Sequence, residues 1–206
     1  MTKKKVILSI CALVLVCVIS VSGTLAYLTS QSEPVTNTFV AADGGQLAKT
    51  FELDESEATR DDMTGLYMLN TATRVKGNTY EVLPGTTVKK DPTVHITGRT
   101  SVPAYLYVEV VSYSNDITYE MNDRGWQQLK VVGPHKGVVY VYSPDSNVLK
   151  DGEYGILDDD VIYVSPKFDG TSELELTFYA YMAQSTMGDQ ARANPGDVFT
   201  AAFLNN

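Results

Sequence analysis

From Ala104 to Val111 side chains of one kind recur at every second position. Ala104, Leu106, Val108 and Val110 share one face of an extended chain, and Tyr105, Tyr107, Glu109 and Val111 share the other. The pattern returns with Leu174, Leu176, Phe178 and Ala180 against Glu173, Glu175, Thr177 and Tyr179. A period of two excludes a helix for these segments, so both are read as half-buried, central strands of antiparallel sheet. Shorter candidate strands cover residues 37–41, 49–53, 79–83, 93–97, 127–132, 138–142 and 161–164. Between them stand Val82-Leu83-Pro84-Gly85, Asp123-Arg124-Gly125, Val132-Gly133-Pro134-His135-Lys136-Gly137, Lys150-Asp151-Gly152 and Phe168-Asp169-Gly170, each placing glycine where a turn calls for positive φ. Residues 54–64 carry only Ala58 and Met63 as apolar side chains and read as an exposed loop or a weak surface helix. Thirteen Tyr, 15 Gly and 8 Pro in 206 residues agree with the pattern, and an all-β sandwich is expected.

The two ends follow other rules. Asn194 before Pro195, with Asp197 in the first turn, is a helix start, and Val198, Phe199, Ala202 and Phe203 then share one helical face. A short C-terminal helix is therefore expected to pack its Phe pair on the sandwich. At the other end Lys3, Lys4 and Lys5 precede an almost wholly apolar run over residues 6–21 and then Ser22-Gly23-Thr24-Leu25-Ala26. That order of charged, apolar and small residues is a secretory signal, with cleavage expected between Ala26 and Tyr27. A retained membrane anchor is the competing reading, although sixteen positions fall short of the roughly 20 that span a bilayer. The expected organisation is a signal peptide over residues 1–26, an extension over 27–36 and one sandwich domain over 37–206.

Charge and thiol usage narrow the functions. Beyond residue 26 the chain has 13 basic and 25 acidic residues, a net of −12, which opposes binding to nucleic acid or to anionic lipid. Both cysteines, Cys11 and Cys17, lie in the apolar run and follow Ile10 and Val16 rather than a small residue, which argues against lipidation. The body is thus without thiols, and disulfides, cysteine metal sites and cysteine nucleophiles are excluded from it.

Chemistry-bearing motifs are sparse. The histidines are His95 and His135, and the chain has no His-Glu-x-x-His, Gly-x-Ser-x-Gly, phosphate loop or dinucleotide fingerprint. His95 stands opposite Val94 and Ile96 and is expected on the exposed face of its strand, and His135 is expected in a solvated turn. Asp158, Asp159 and Asp160, with Asp151 and Glu153 nearby, read as a solvated turn, calcium ligation being the alternative. Tyr105, Tyr107, Tyr140, Tyr142, Tyr179 and Tyr181 are expected in cross-strand packing rather than as a carbohydrate platform. No catalytic residue, metal ligand or cofactor is assigned, and the expected protein is not an enzyme.

Three stretches carry a resemblance. They are Gly23-Thr24-Leu25-Ala26-Tyr27-Leu28-Thr29 with Asn37-Thr38-Phe39; Gly77-Asn78-Thr79-Tyr80-Glu81-Val82-Leu83-Pro84-Gly85 leading to Lys90-Asp91-Pro92-Thr93-Val94; and Leu176-Thr177-Phe178-Tyr179-Ala180-Tyr181. In order and spacing the chain resembles the secreted biofilm-matrix proteins of Gram-positive bacteria processed by the SipW-type signal peptidase, the TasA and camelysin group, and within it the BsaA type. The resemblance implies a jelly-roll-like sandwich, export with cleavage by that peptidase and no stable membrane anchor afterwards. It also implies assembly with copies of itself, and with a possible minor matrix subunit, into extracellular fibres. In such fibres the freed N-terminal segment of one subunit adds a strand to the next, a role that would fall here to Tyr27, Leu28, Thr29, Ser30, Gln31, Ser32 and Glu33. Within the group the camelysin name implies a protease activity, which is not carried over to this chain because it has no His-rich zinc motif. A monomeric surface adhesin or carbohydrate- or protein-binding module is the alternative, and a metal-dependent hydrolase a more distant one.

Overall fold

Valine, isoleucine, threonine and tyrosine are restricted at χ1 in a helix and pack well on a pleated surface, so segments rich in them become strands. The computed structural model describes residues 51–98, 100, 103–142, 149–171, 174–185 and 193–205. Its strands are β1 (Phe51–Arg60), β2 (Tyr67–Val75), β3 (Thr87–Lys89), β4 (Thr93–Ile96), β5 (Ala104–Ser112), β6 (Ile117–Met121), β7 (Trp126–Val132), β8 (Val138–Tyr142), β9 (Gly152–Gly155), β10 (Leu157–Val164) and β11 (Leu176–Gln184). A short helix, α1 (Pro195–Phe199), continues as a wider turn over Thr200–Leu204. The strands form three antiparallel sheets in the orders β2-β1-β4-β9, β3-β10-β6 and β11-β5-β8-β7. Many neighbours in a sheet are distant in sequence, as the winding of a jelly-roll-like sandwich requires. The fold is an all-β sandwich with a short C-terminal helix.

Strand β5 organises the core. It pairs with β11 from Leu176↔Ser112 to Gln184↔Ala104 and with β8 from Leu106↔Tyr142 to Val110↔Val138. Its even-numbered face, Ala104, Leu106, Val108 and Val110, enters the main core with Val94, Ile96, Trp126 and Leu157. Its odd-numbered face is not half-exposed as the alternation predicts. Tyr105, Tyr107, Val139 and Val141 are buried beneath Val198 and Phe199 of α1. The Tyr107 and Phe199 rings lie 5.1 Å apart, Tyr105 Oη donates to the Ala193 carbonyl at 2.9 Å, and Tyr107 Oη donates to that of Pro195 at 3.0 Å. A second apolar layer supplied by the helix is why both faces of β5 are dry. Asn194 caps that helix as expected, its Oδ1 accepting from Gly196 N at 2.8 Å.

Other expectations are corrected. Residues 54–64 are mostly strand, since β1 runs to Arg60 and pairs with β2, which the sequence reading passed over. The tip of this hairpin is an Asx-type turn in which Asp61 Oδ1 accepts from Met63 N at 2.9 Å and Thr64 N at 2.7 Å. Residues 79–83 form no strand, and β11 is not central but the last strand of its sheet among the described residues. The Asp158 to Asp160 run lies inside β10 at an irregularity in its pairing with β6, where Asp159 and Asp160 adopt positive φ of 50° and 53°. Segment 37–41 and residues 49 and 50 lie outside the described residues.

Candidate functional site

Two clefts lie side by side along residues 174–178, at the start of β11. The larger, of about 470 Å³, is walled by Tyr80, Val82, Ile117, Phe168 and Leu174, and the second, of about 360 Å³, by Leu53, Glu55, Lys90, Leu176 and Phe178. Asn78 borders both. One wall is therefore the sheet-end strand and the other is the chain after β2, where Tyr80 and Val82 pack inward without pairing as a strand while Leu83 is exposed. Among the described residues no strand pairs with the outer edge of β11. A strand edge beside a cleft can accept an added strand, through main-chain bonds and alternate side chains in the cleft.

A charged network borders the second cleft. Strand periodicity carries the inward face of β1 from Phe51 and Leu53 to Glu55, which is 4% exposed. Lys90 Nζ donates to Glu55 Oε2 at 2.5 Å and Asn78 Nδ2 to Glu55 Oε1 at 2.8 Å. Next along β1, Ser56 donates to Asp91 through its backbone N at 2.8 Å and its Oγ at 2.6 Å. Arg74 bridges Asp91 and Asp54, at 3.1 Å and 2.7 Å. Burial lowers the Arg74 pKa, but the paired Asp54 and Asp91 outweigh it and the net shift is upward. Tyr80 is also raised, by burial first and then by the charges of Glu55 and Asp91. His95, expected on an exposed face, is only partly exposed and meets Asp54 Oδ1 at 2.9 Å through Nε2.

The other histidine is likewise held. Glu109 is fully buried on β5 and accepts from His135 N at 2.9 Å, Gly137 N at 2.8 Å and Tyr181 Oη at 2.8 Å. His135 Nδ1 lies 3.0 Å from Glu109 Oε2, and its ring stacks on Tyr179 at 3.7 Å with planes 4° apart. The turn is solvated as expected, with Pro134, His135 and Lys136 exposed, and it also folds over the carboxylate. Gly133 and Gly137 permit this, because a Cβ at residue 133 would lie 2.1 Å from Glu109 Cδ and one at 137 only 2.6 Å from the Val110 carbonyl. Burial first, and then the Glu109 hydrogen bond, raise the Tyr181 pKa.

The residues assigned from the resemblance, Ala26 and Tyr27 for cleavage and Tyr27 to Glu33 for strand donation, lie outside the described residues. Glu55, Asn78 and Lys90 were not singled out as a site. Their signals were the period of two running on from Phe51 and Leu53, and the Asn78 and Lys90 positions within the quoted motifs. Among the described residues no three His, Cys, Asp or Glu side chains are grouped to hold a metal ion, and no helix is long and apolar enough to cross a membrane. No family model, curated protein or solved structure matches the chain.

Proposed function

We propose that this chain is an exported, non-enzymatic structural subunit that assembles with copies of itself into extracellular matrix fibres. After a SipW-type signal peptidase cuts behind Ala26, the freed segment Tyr27, Leu28, Thr29, Ser30, Gln31, Ser32 and Glu33 of one subunit joins the next as an added strand. The observation that carries this reading is the outer edge of β11, unpaired with any strand among the described residues, lying beside the two clefts. Seven extended residues span roughly 23 Å at about 3.3 Å each, enough to cover most of the nine-residue β11. Tyr27 and Leu28 would supply the apolar anchors, and the polar Ser30 to Glu33 the main-chain pairing. The strong negative charge of the body favours a partner of the same chain only where main-chain and apolar contacts dominate, as they do in strand addition.

A chain starting at Tyr27 is expected to form threads in electron micrographs, and a chain starting at Val35 to stay a folded, soluble monomer that caps growing threads. Equal polymerisation of the two would remove the strand-donation mechanism, and monomers from both would favour a surface adhesin. Secreted material retaining Met1 would overturn the processing step.

A further inference from the structure

Glu55, Asn78 and Lys90 stand on three separate stretches of chain and meet at one carboxylate. Lys90 Nζ and Asn78 Nδ2 each occupy one Glu55 oxygen, at 2.5 Å and 2.8 Å. The Asn78 carbonyl oxygen accepts the Ala58 backbone N–H at 2.8 Å. The Lys90 and Glu55 side chains are 10% and 6% exposed, and the Tyr80 and Phe178 rings flank Nζ at 5.7 Å and 5.8 Å. A buried ion pair needs only a lysine and a carboxylate. Here each part of a side-chain amide is also engaged: its oxygen by a fixed backbone donor, and its nitrogen by the carboxylate that holds the amine.

We propose that Lys90 and Asn78 become joined by an intramolecular isopeptide bond, with Glu55 relaying protons between the two nitrogens. Lys90 Nζ gives one proton to Glu55 Oε2, and the freed amine attacks Asn78 Cγ. The Ala58 N–H, already on the amide oxygen, stabilises the negative charge that develops there. Glu55 passes its proton to Nδ2 and takes a second one from Nζ. The Cγ–Nδ2 bond then breaks with its electron pair on nitrogen, and ammonia departs, taking the last proton from Glu55 to leave as ammonium. One hydrogen stays on the new amide, the carboxylate is restored, and nothing is oxidised or reduced. Holding amine, amide and proton carrier together, with the Lys90 and Glu55 side chains almost wholly buried, makes an otherwise slow exchange intramolecular. The bond would close residues 79–89 into a ring and fix the wall of the larger cleft that carries Tyr80 and Val82. It stands whether or not the chain forms fibres.

The test is mass spectrometry of the folded full chain, intact and after proteolysis. The expected result is a mass lower than the sequence requires by one ammonia, with residues 78 and 90 joined in a single fragment. Lys90→Arg, which keeps a cation beside Glu55, and Glu55→Gln should each restore the full mass while circular dichroism shows the same fold. A wild-type fragment of full mass overturns the proposal by itself, even where a variant fails to fold. An ammonia loss that persists in Lys90→Arg also overturns it, since Asn78 would then have cyclised on its own backbone.

Discussion

Glu109 brings a carboxyl group into the sandwich, and the His135 and Gly137 N–H groups and the Tyr181 hydroxyl hold it there. Replacing it by leucine removes the acceptor for the N–H groups of His135 and Gly137 and leaves the Tyr181 hydroxyl only His135 Nδ1, at 3.0 Å, and each buried donor left unpaired costs about 1–3 kcal/mol. Glu109→Leu is expected to lower unfolding free energy by about 3–5 kcal/mol in urea titration, and Glu109→Gln, which keeps one acceptor oxygen, by less. Asp160 behaves in the opposite sense. Its pKa is raised, by burial first and then by the charge of Asp91, so the protonated form suits the fold better than the ionised one. Its contribution is complete below the usual carboxylate range and is lost as pH rises through the raised value. Asp160→Asn should therefore stabilise the protein at neutral pH and make no electrostatic difference in acid, as thermal melts at several pH values would show. Asparagine also tolerates the positive φ at this position.

At the scale of single elements, helix α1 changes what β5 can tolerate. Alternation alone predicts that Leu106→Asp destroys the fold and that Tyr107→Asp is mild. Both side chains are completely buried, so each substitution places an unpaired carboxylate in an apolar layer, at a cost of several kcal/mol against a total stability of about 5–15. Both are expected to abolish the cooperative melt seen by circular dichroism, and a folded Tyr107→Asp protein would mean that α1 leaves β5 without unfolding the sandwich. The same helix shows what a sequence can and cannot disclose. Its cap, its first proline and its Phe pair are local signals and were legible, as were β4, β5, β7, β8 and the pairing face of β11. That the helix lies across Tyr105 and Tyr107 is a long-range fact that no local period contains. Strands β2 and β6 were missed because exposed polar residues dilute their alternation, and β3 and β9 because three or four residues carry too little pattern. Glu55 and Lys90 were missed because charged side chains are normally read as solvent-facing, whereas here each is neutralised by the other.

For the whole molecule, net charge and association oppose each other. Subunits bearing about −12 beyond residue 26 repel one another over a Debye length of roughly 30 Å at 0.01 M salt, which shrinks to about 8 Å at 0.15 M. If subunits associate through strand addition, light scattering should show threads growing faster at the higher ionic strength, with the truncated chain unaffected. Growth that slows with salt would instead point to an interface held by opposite charges. The Met63 side of the β1–β2 turn offers a way to watch this. That side chain is 96% exposed, and Asp61 holds the turn through backbone N–H groups, independently of what residue 63 carries. Cys11 and Cys17 both precede residue 27, so Met63→Cys would give the processed chain a single thiol. A maleimide dye attached there would sit on a solvent-facing tip, turning the hairpin into a one-site optical reporter.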